Sequence, residues 1–263
     1  MTRQEIMNVL KGDYNALVEK EYQLYGVFLF GSQNYGLSTE SSDIDVKVIY
    51  FPKEKEKLVA MLVGLTSVTK NTFDRIRIEG QVTALSPIVF IDNLKSNYHT
   101  WFELLFTDYY FVNLEKSKSW EQIRSLRDRI VRHNVYAFLD AQLDCLVSQI
   151  DTAFVDADET LCNKRLSTFY RIFYLTQKYC LKLPYHLCLL PTETEKEKLL
   201  LIKKNTPYSR EECIELTKQL VENMATLIDN YKKENENIID EEVFLEVSKL
   251  FGIEEEEGSG TEV

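Results

Sequence analysis

Between residues 27 and 50 the hydrophobic pattern changes period. Val27 to Phe30 is a short unbroken apolar run between Gly26 and Gly31, which predicts a buried strand rather than a helix. After a Gly31-Ser32 turn that we expect to enter a short helix, Ser42-Asp43-Ile44-Asp45-Val46-Lys47-Val48 alternates strictly. This is a second strand beginning with two aspartates. Its period of two puts Asp43, Asp45 and Lys47 on one face and Ile44, Val46 and Val48 on the other. One face is expected to be core and the other to carry charge.

Upstream, Ile6, Leu10, Tyr14, Leu17 and Tyr22 recur at roughly helical spacing and predict a helix over residues 2 to about 22. Downstream, Pro52 opens a Lys/Glu-rich helix stopped at Gly64, and residues 74 to 85 alternate again as a third strand ended by Ser86-Pro87. A helix from Pro87 to about Lys95, helical packing through Trp101 to Phe106, and a short strand over residues 108 to 113 follow. Beyond that the apolar period is helical: Trp120 to Arg132, Val135 to Ala157, Lys164 to Tyr179, and residues 209 to 231 and 238 to 250. Ser209 with Glu212 three residues on is a capping-box pattern. No Gly/Ser- or Pro-rich linker separates the strand-bearing part from the helical part, so the two should pack together.

Composition narrows the partners. The 263 residues can bury a full core, and 44% hydrophobic with 28% charged residues suits a soluble globular chain. No segment approaches the roughly eighteen uninterrupted apolar residues of a membrane span. Met1-Thr2-Arg3-Gln4-Glu5 lacks the apolar centre of a signal peptide, so the expectation is a cytoplasmic protein with no membrane partner. Cys145, Cys162, Cys180, Cys188 and Cys213 are odd in number, scattered, and apart from His99, His133 and His186. They read as reduced packing thiols rather than disulfides or zinc ligands. Net charge is −11, and discounting tail residues Glu254 to Glu257 and Glu262 still leaves about −6, which argues against long nucleic acid as a partner. Arg124, Arg127, Arg129 and Arg132 form a local basic patch. It is a solvated helix face or a seat for an RNA end, the first being the simpler reading.

The candidate chemistry lies in the opening stretch. Asp43 and Asp45 start roughly 6.5 Å apart on one strand face, near enough for both carboxylates to converge on a cation. Oxygen ligands of this kind suit Mg²⁺ completed by water and phosphate oxygens. Gly31 lets backbone approach a ligand closely, and Ser32 adds a hydroxyl beside backbone N–H groups, a setting in which phosphate binds.

Together these residues resemble the nucleotidyltransferase superfamily of DNA polymerase β, with its Gly-Ser turn followed by an Asp-x-Asp strand. Gly31-Ser32-x-x-Tyr35-Gly36-Leu37 and Ser42-Asp43-Ile44-Asp45 look most like a group of predicted bacterial and phage nucleotidyltransferases with a Gly-Ser-Arg-x-Tyr-Gly-type turn. The resemblance implies an α+β fold, a small mixed β-sheet with helices on one side followed by an all-helical C-terminal domain. It divides the chain into residues 1–115, residues 116–252, and an acidic tail at 253–263 expected to be disordered. It also implies a nucleoside triphosphate held at Gly31 and Ser32, Mg²⁺ or Mn²⁺ held by catalytic Asp43 and Asp45, and transfer of a nucleoside monophosphate to a hydroxyl.

Two departures from the family pattern matter. Counting back from Glu103-Leu104-Leu105-Phe106, with Asn97 at the family's asparagine, the third aspartate of the family falls on Gln81. Gln81 offers a carbonyl oxygen but neither charge nor base. Glu79 shares its strand face as a substitute, although it starts about 6.5 Å away. Relatives also carry a helix with a Lys, then a His four and an Arg seven positions later. Lys164 and Arg171 fit that spacing on one helix face, while Thr168 stands where the His would be. Lys164 and Arg171 bind the triphosphate, or they are surface cations beside an aromatic core stripe of Phe169, Phe173 and Tyr174.

Two functions stay in play. One is a nucleotidyltransferase using Mg²⁺; the other is a catalytically degenerate member that binds a nucleotide or a protein. The lost carboxylate, missing His and acidic surface favour the second. Retention of Gly31, Ser32, Asp43 and Asp45 favours the first, because a structural remnant has no physical reason to keep two repelling carboxylates. The enzyme is the reading taken. Its acceptor is open among a protein hydroxyl, a small molecule and an RNA end, with charge favouring the first two.

Overall fold

The computed structural model describes residues 2–40, 42–53, 69–70, 82–150 and 152–253. The helix expected after Pro52, the early part of the third strand with Glu79 and Gln81, and the tail from 254 lie outside the described residues.

Helix α1 (Arg3–Glu19) starts where its sequence can satisfy free backbone donors. Thr2 Oγ1 accepts from the Glu5 N–H, and Glu5 Oε2 accepts from the Thr2 N–H, a reciprocal cap. The chain then turns through Glu21 at φ 62°, so Tyr22 falls outside the helix. Strands β1 (Gln23–Phe30), β2 (Asp45–Phe51), β3 (Thr69–Lys70), β4 (Val82–Leu85) and β5 (Tyr110–Val112) form a mixed sheet in the order β3-β4-β2-β1-β5. The β2–β4 pair is parallel and the other pairs are antiparallel.

Both faces of the sheet are buried. On one, α1 contributes Ile6, Leu10 and Leu17 against Leu24, Val27, Leu29, Ile44, Val46, Val48 and Tyr50. Leu24 and Val27 share that face despite odd spacing because the β1–β2 register shifts between Leu24 and Gly26, a bulge that absorbs one residue. The other face presents Tyr25, Phe28 and Ile49 to a larger core. Over it lie α2 (Pro87–Lys95, capped by Ser86), α3 (His99–Phe106) and α4 (Ser117–Ser125).

That larger core runs without a break into the helical part. It continues through α5 (Arg127–Ile130), α6 (Val135–Ile150), α7 (Glu159–Cys180), α8 (Tyr185–Leu189), α9 (Glu193–Asn205), α10 (Arg210–Glu234) and α11 (Glu242–Phe251). Phe251 of the last helix packs on Tyr25 of the first strand, ring centroids 4.7 Å apart. All five cysteines are free, and all but Cys180 are buried. Among the described residues no helix is long and apolar enough to cross a membrane.

Three expectations change. The second strand begins at Asp45, leaving Asp43 in the connection before it. The face shared by Asp45 and Lys47 is not a solvated charge face: α3 lies across it, and Lys47 is only 4% exposed. The arginine patch is only partly a solvated helix face: Arg129 stays exposed, but each of the four arginines has a partner within the chain. Arg124, its side chain 13% exposed, donates to the Leu105 carbonyl and pairs with Asp108 and Glu121. Arg129 bridges Asp240 and Glu246, Arg132 donates to the Leu183 carbonyl, and Arg127 lies over the Phe106 ring.

Trp120 is the hinge-pin of the shared core. It is fully buried and its ring meets those of Tyr25, Phe28, Phe90 and Tyr110 at 4.6–6.5 Å. Trp120→Ala should cost about 3–5 kcal/mol, read as a lowered urea midpoint by circular dichroism. Its indole N–H has no hydrogen-bond partner among the described residues, so Trp120→Phe should cost clearly less.

Candidate functional site

The site grows from the end of β1. The β1–β2 register pairs Phe30 with Asp45, so Gly31, the next residue, comes level with the Asp45 carboxylate. Gly31 turns there at φ +83°, a conformation that costs any other L-residue strain. A Cβ built on it would stand 3.1 Å from Asp45 Oδ2. The missing side chain therefore serves twice, for the turn and for the space the carboxylate fills.

Residues 32 to 36 form a series of hydrogen-bonded turns and not the short helix expected from the sequence. The Gly31 carbonyl accepts from Asn34 N–H at 3.0 Å, and the Ser32 carbonyl accepts from both Tyr35 and Leu37 N–H at 3.3 and 3.0 Å. Gly36, at φ +65°, reverses the chain before helical bonding can propagate. Asn34 secures the turn from outside: its Nδ2 donates to the Leu29 carbonyl at 2.9 Å, and its Oδ1 accepts from Thr107 Oγ1 at 2.8 Å.

The turn opens on a cavity of about 810 Å³, within the range of small-ligand sites. Gly31, Ser32, Asp43 and Asp45 line one side of it, and Lys164, Thr168 and Arg171 of α7 line the other, together with Lys203 of α9. Every site residue expected from the sequence that lies among the described residues thus borders one space; Glu79 and Gln81 are outside them. Lys164 is exposed toward the cleft. Arg171 is no surface cation: its side chain is 12% exposed.

The charges are arranged by wall. Asp43 is exposed and Asp45 half-exposed on the sheet side, with the cations facing them from the helices. Lys203 Nζ donates to the Leu37 carbonyl at 3.0 Å and to Ser42 Oγ at 3.3 Å, pinning the connection that leads into Asp43. Burial, with the nearby Lys164 charge, holds the Lys203 ammonium below its ordinary pKa, against the pull of Asp45.

Beneath the cleft lies a buried polar cluster from α3. Glu103 Oε2 accepts from the Gly31 N–H at 3.4 Å, and Glu103 Oε1 is 3.6 Å from Arg171 Nη1. Burial pushes the Glu103 carboxyl up to about 7, against the opposing pull of Arg171 and of the Gly31 N–H. Arg171 Nη2 donates to His99 Nε2 at 3.3 Å, and its guanidinium lies over the Tyr35 ring at 4.3 Å. Lys47 Nζ sits 3.7 Å from the Trp101 ring centroid and 4.5 Å from that of Phe30, donating to the Thr100 carbonyl at 2.6 Å. Burial lowers its pKa to about 7.

Carboxylates border the cavity, and hard oxygen donors of this kind are the type that Mg²⁺ takes. Among the described residues no three His, Cys, Asp or Glu side chains gather as a closed metal cage. Asp43 and Asp45 place two carboxylates beside the open space, that of Asp45 with an oxygen 3.1 Å from where a Gly31 Cβ would stand. That number suits Mg²⁺ whose remaining positions are filled by water and phosphate.

Sequence reading missed Lys203, Glu103 and His99 as site residues. The helix that carries Lys203 had a legible start, since Thr192 and Glu195 form a capping box. Its reach to residues 37 and 42 had no sequence signal. Glu103 entered only as a landmark for alignment.

Residues 15–133 match the family described as nucleotidyltransferase domain. No curated protein matches the chain.

Gly31→Ala should lower stability by about 1–2 kcal/mol through its left-handed backbone alone, measured by urea denaturation. Lys47 gives a pH test. Its folded pKa lies below the unfolded value near 10.5, so the unfolded chain binds more protons between about pH 7 and 10.5. This group's contribution to stability therefore rises with pH across that window, and Lys47→Met should flatten the slope of the urea midpoint against pH.

Proposed function

We propose that a chain whose residues 15–133 form a nucleotidyltransferase domain transfers a nucleoside monophosphate from a nucleoside triphosphate to a hydroxyl acceptor, in the cleft between Gly31 and α7. One observation carries this reading. Carboxylates at the sheet end and cations from two helices more than a hundred residues later border the same 810 Å³ space. A triphosphate with its cation needs that pairing: acid groups for the metal, and bases for the phosphate charge the metal leaves.

The roles follow from position. Asp43 and Asp45 would hold Mg²⁺ or Mn²⁺, which when bound neutralises charge on the transferring phosphoryl group. Gly31 and Ser32 let the polyphosphate approach the turn without steric conflict. Lys164 and Lys203 meet it as point charges and Arg171 as a planar fork. The acceptor oxygen bonds to the α-phosphorus, the bond to the bridging oxygen breaks, pyrophosphate leaves, and the hydroxyl proton is released. A net charge of −11 favours a protein or small-molecule hydroxyl over extended nucleic acid as the acceptor.

Calorimetric titration of each ribonucleoside triphosphate, with Mg²⁺, Mn²⁺ or EDTA, tests the reading. Binding should require the metal, disappear in Asp43→Ala/Asp45→Ala, and weaken about tenfold in Lys203→Ala. Failure of the wild-type protein to bind any triphosphate under any metal condition would overturn the proposal. The domain would then serve as an interaction surface without a nucleotide.

A further inference from the structure

We infer that Glu103 is a positioning residue for the triphosphate, a single buried carboxylate that sets both the Gly31 turn and the Arg171 guanidinium; this rests on the nucleotide reading of the cleft. Its two oxygens are divided between the sheet-end turn and helix α7, which also meet where Arg171 lies over the Tyr35 ring. Oε2 takes the Gly31 N–H at 3.4 Å and Oε1 faces Arg171 Nη1 at 3.6 Å. With 2% exposure, Glu103 forms the floor on which the two walls are registered.

The second half of the seat is His99, one helical turn before Glu103 and so on the same face of α3. Its tautomer follows from its neighbour. Gln142 Nε2 donates to the Asn97 and Phe138 carbonyls at 2.9 and 3.0 Å, which turns Oε1 toward His99 Nδ1, 2.7 Å away. That nitrogen must therefore carry the proton. Nε2 is left with a lone pair, and it accepts from Arg171 Nη2 at 3.3 Å. One helix thus offers the guanidinium a carboxylate and an imine nitrogen side by side, while Tyr35 covers its plane at 4.3 Å.

A purely structural tie is a poor explanation for this arrangement. Both Glu103 contacts are longer than the roughly 2.7–2.9 Å of a strong charge-assisted bond, and a buried ion pair seldom stabilises more than an apolar pair of similar size. Position fits better than stability. The geometry orients a fork-shaped cation at the edge of a cavity and leaves the same carboxylate holding the backbone N–H that starts the turn.

The test is a double-mutant cycle, using tripolyphosphate with Mg²⁺ as a probe of the phosphate arm and the nucleoside triphosphates beside it. Glu103→Gln keeps an acceptor for Gly31 and removes the charge that faces Arg171; Arg171→Lys keeps the charge and removes the fork. Each should weaken binding about tenfold, and the double variant should lose no more than either alone, because both act through one arrangement. A roughly hundredfold, additive loss would overturn the positioning role, as would a Glu103→Gln variant that binds like wild type and only melts lower. In parallel, ¹⁵N shifts of the His99 ring should report protonated Nδ1 and bare Nε2 at neutral pH; an imidazolium or the opposite tautomer would remove the seat. Wild-type protein that binds neither probe overturns the nucleotide reading itself, whereas wild-type binding with additive variants overturns only the role of Glu103.

Discussion

The close approach of Gly31 and Asp45 is the constraint on which the site rests. A carboxylate oxygen occupies space that any side chain at residue 31 would contest, 3.1 Å from where its first carbon would stand. Strand register brings the two together: Phe30 lies opposite Asp45, so the first residue to leave β1 is level with the first residue of β2. The bulge at the other end of the same pair sets which side chains face α1 and which face the larger core. Sheet geometry, rather than loop chance, thus delivers the carboxylate to the turn.

Opposite that wall the helices supply positive charge to a chain whose overall balance is strongly negative. Lys164 and Arg171 share a face of α7, and Lys203 arrives on α9, its ammonium donating to residues 37 and 42. Such a cluster of like charges is unfavourable alone and is relieved by the acid wall opposite it. The continuous core from Tyr25 to Phe251 keeps the two walls in fixed register. A cleft assembled from distant parts of the chain needs that rigidity if its charges are to meet one ligand at once.

The legible parts of the sequence were those written locally. Apolar runs bounded by glycine gave β1, alternation gave β2, and the Ser209–Glu212 box marked the start of α10. The Asp and Gly-Ser residues of the site, with Lys164 and Arg171, were visible because motif and helical spacing are short-range. What escaped was set by tertiary contact. The residues after Ser32 looked like a helix start but stay as turns, since Gly36 reverses the backbone. Lys47 read as a charge on an open face, yet α3 buries it. Glu103 and Lys203 carried no local sign that they reach Gly31 and Ser42, because those contacts span 72 and 161 residues.

Lys47 marks how the polar residues of β2 run from the cleft into the interior. Along one face of β2 the side chains run Asp45, Lys47, Ile49, from half-exposed carboxylate through buried ammonium to apolar core. Asp45 precedes Lys47 by two residues, roughly 6.5 Å along the strand. Burying an amine costs stability, as its lowered pKa records, and contacts with Trp101 and Phe30 offset only part of that. A methionine would fill the same space without the penalty. What the lysine does make is a tie between sheet and helix: its Nζ donates to the Thr100 carbonyl of α3 and lies by the rings of Trp101 and of Phe30, the residue that leads into the Gly31 turn.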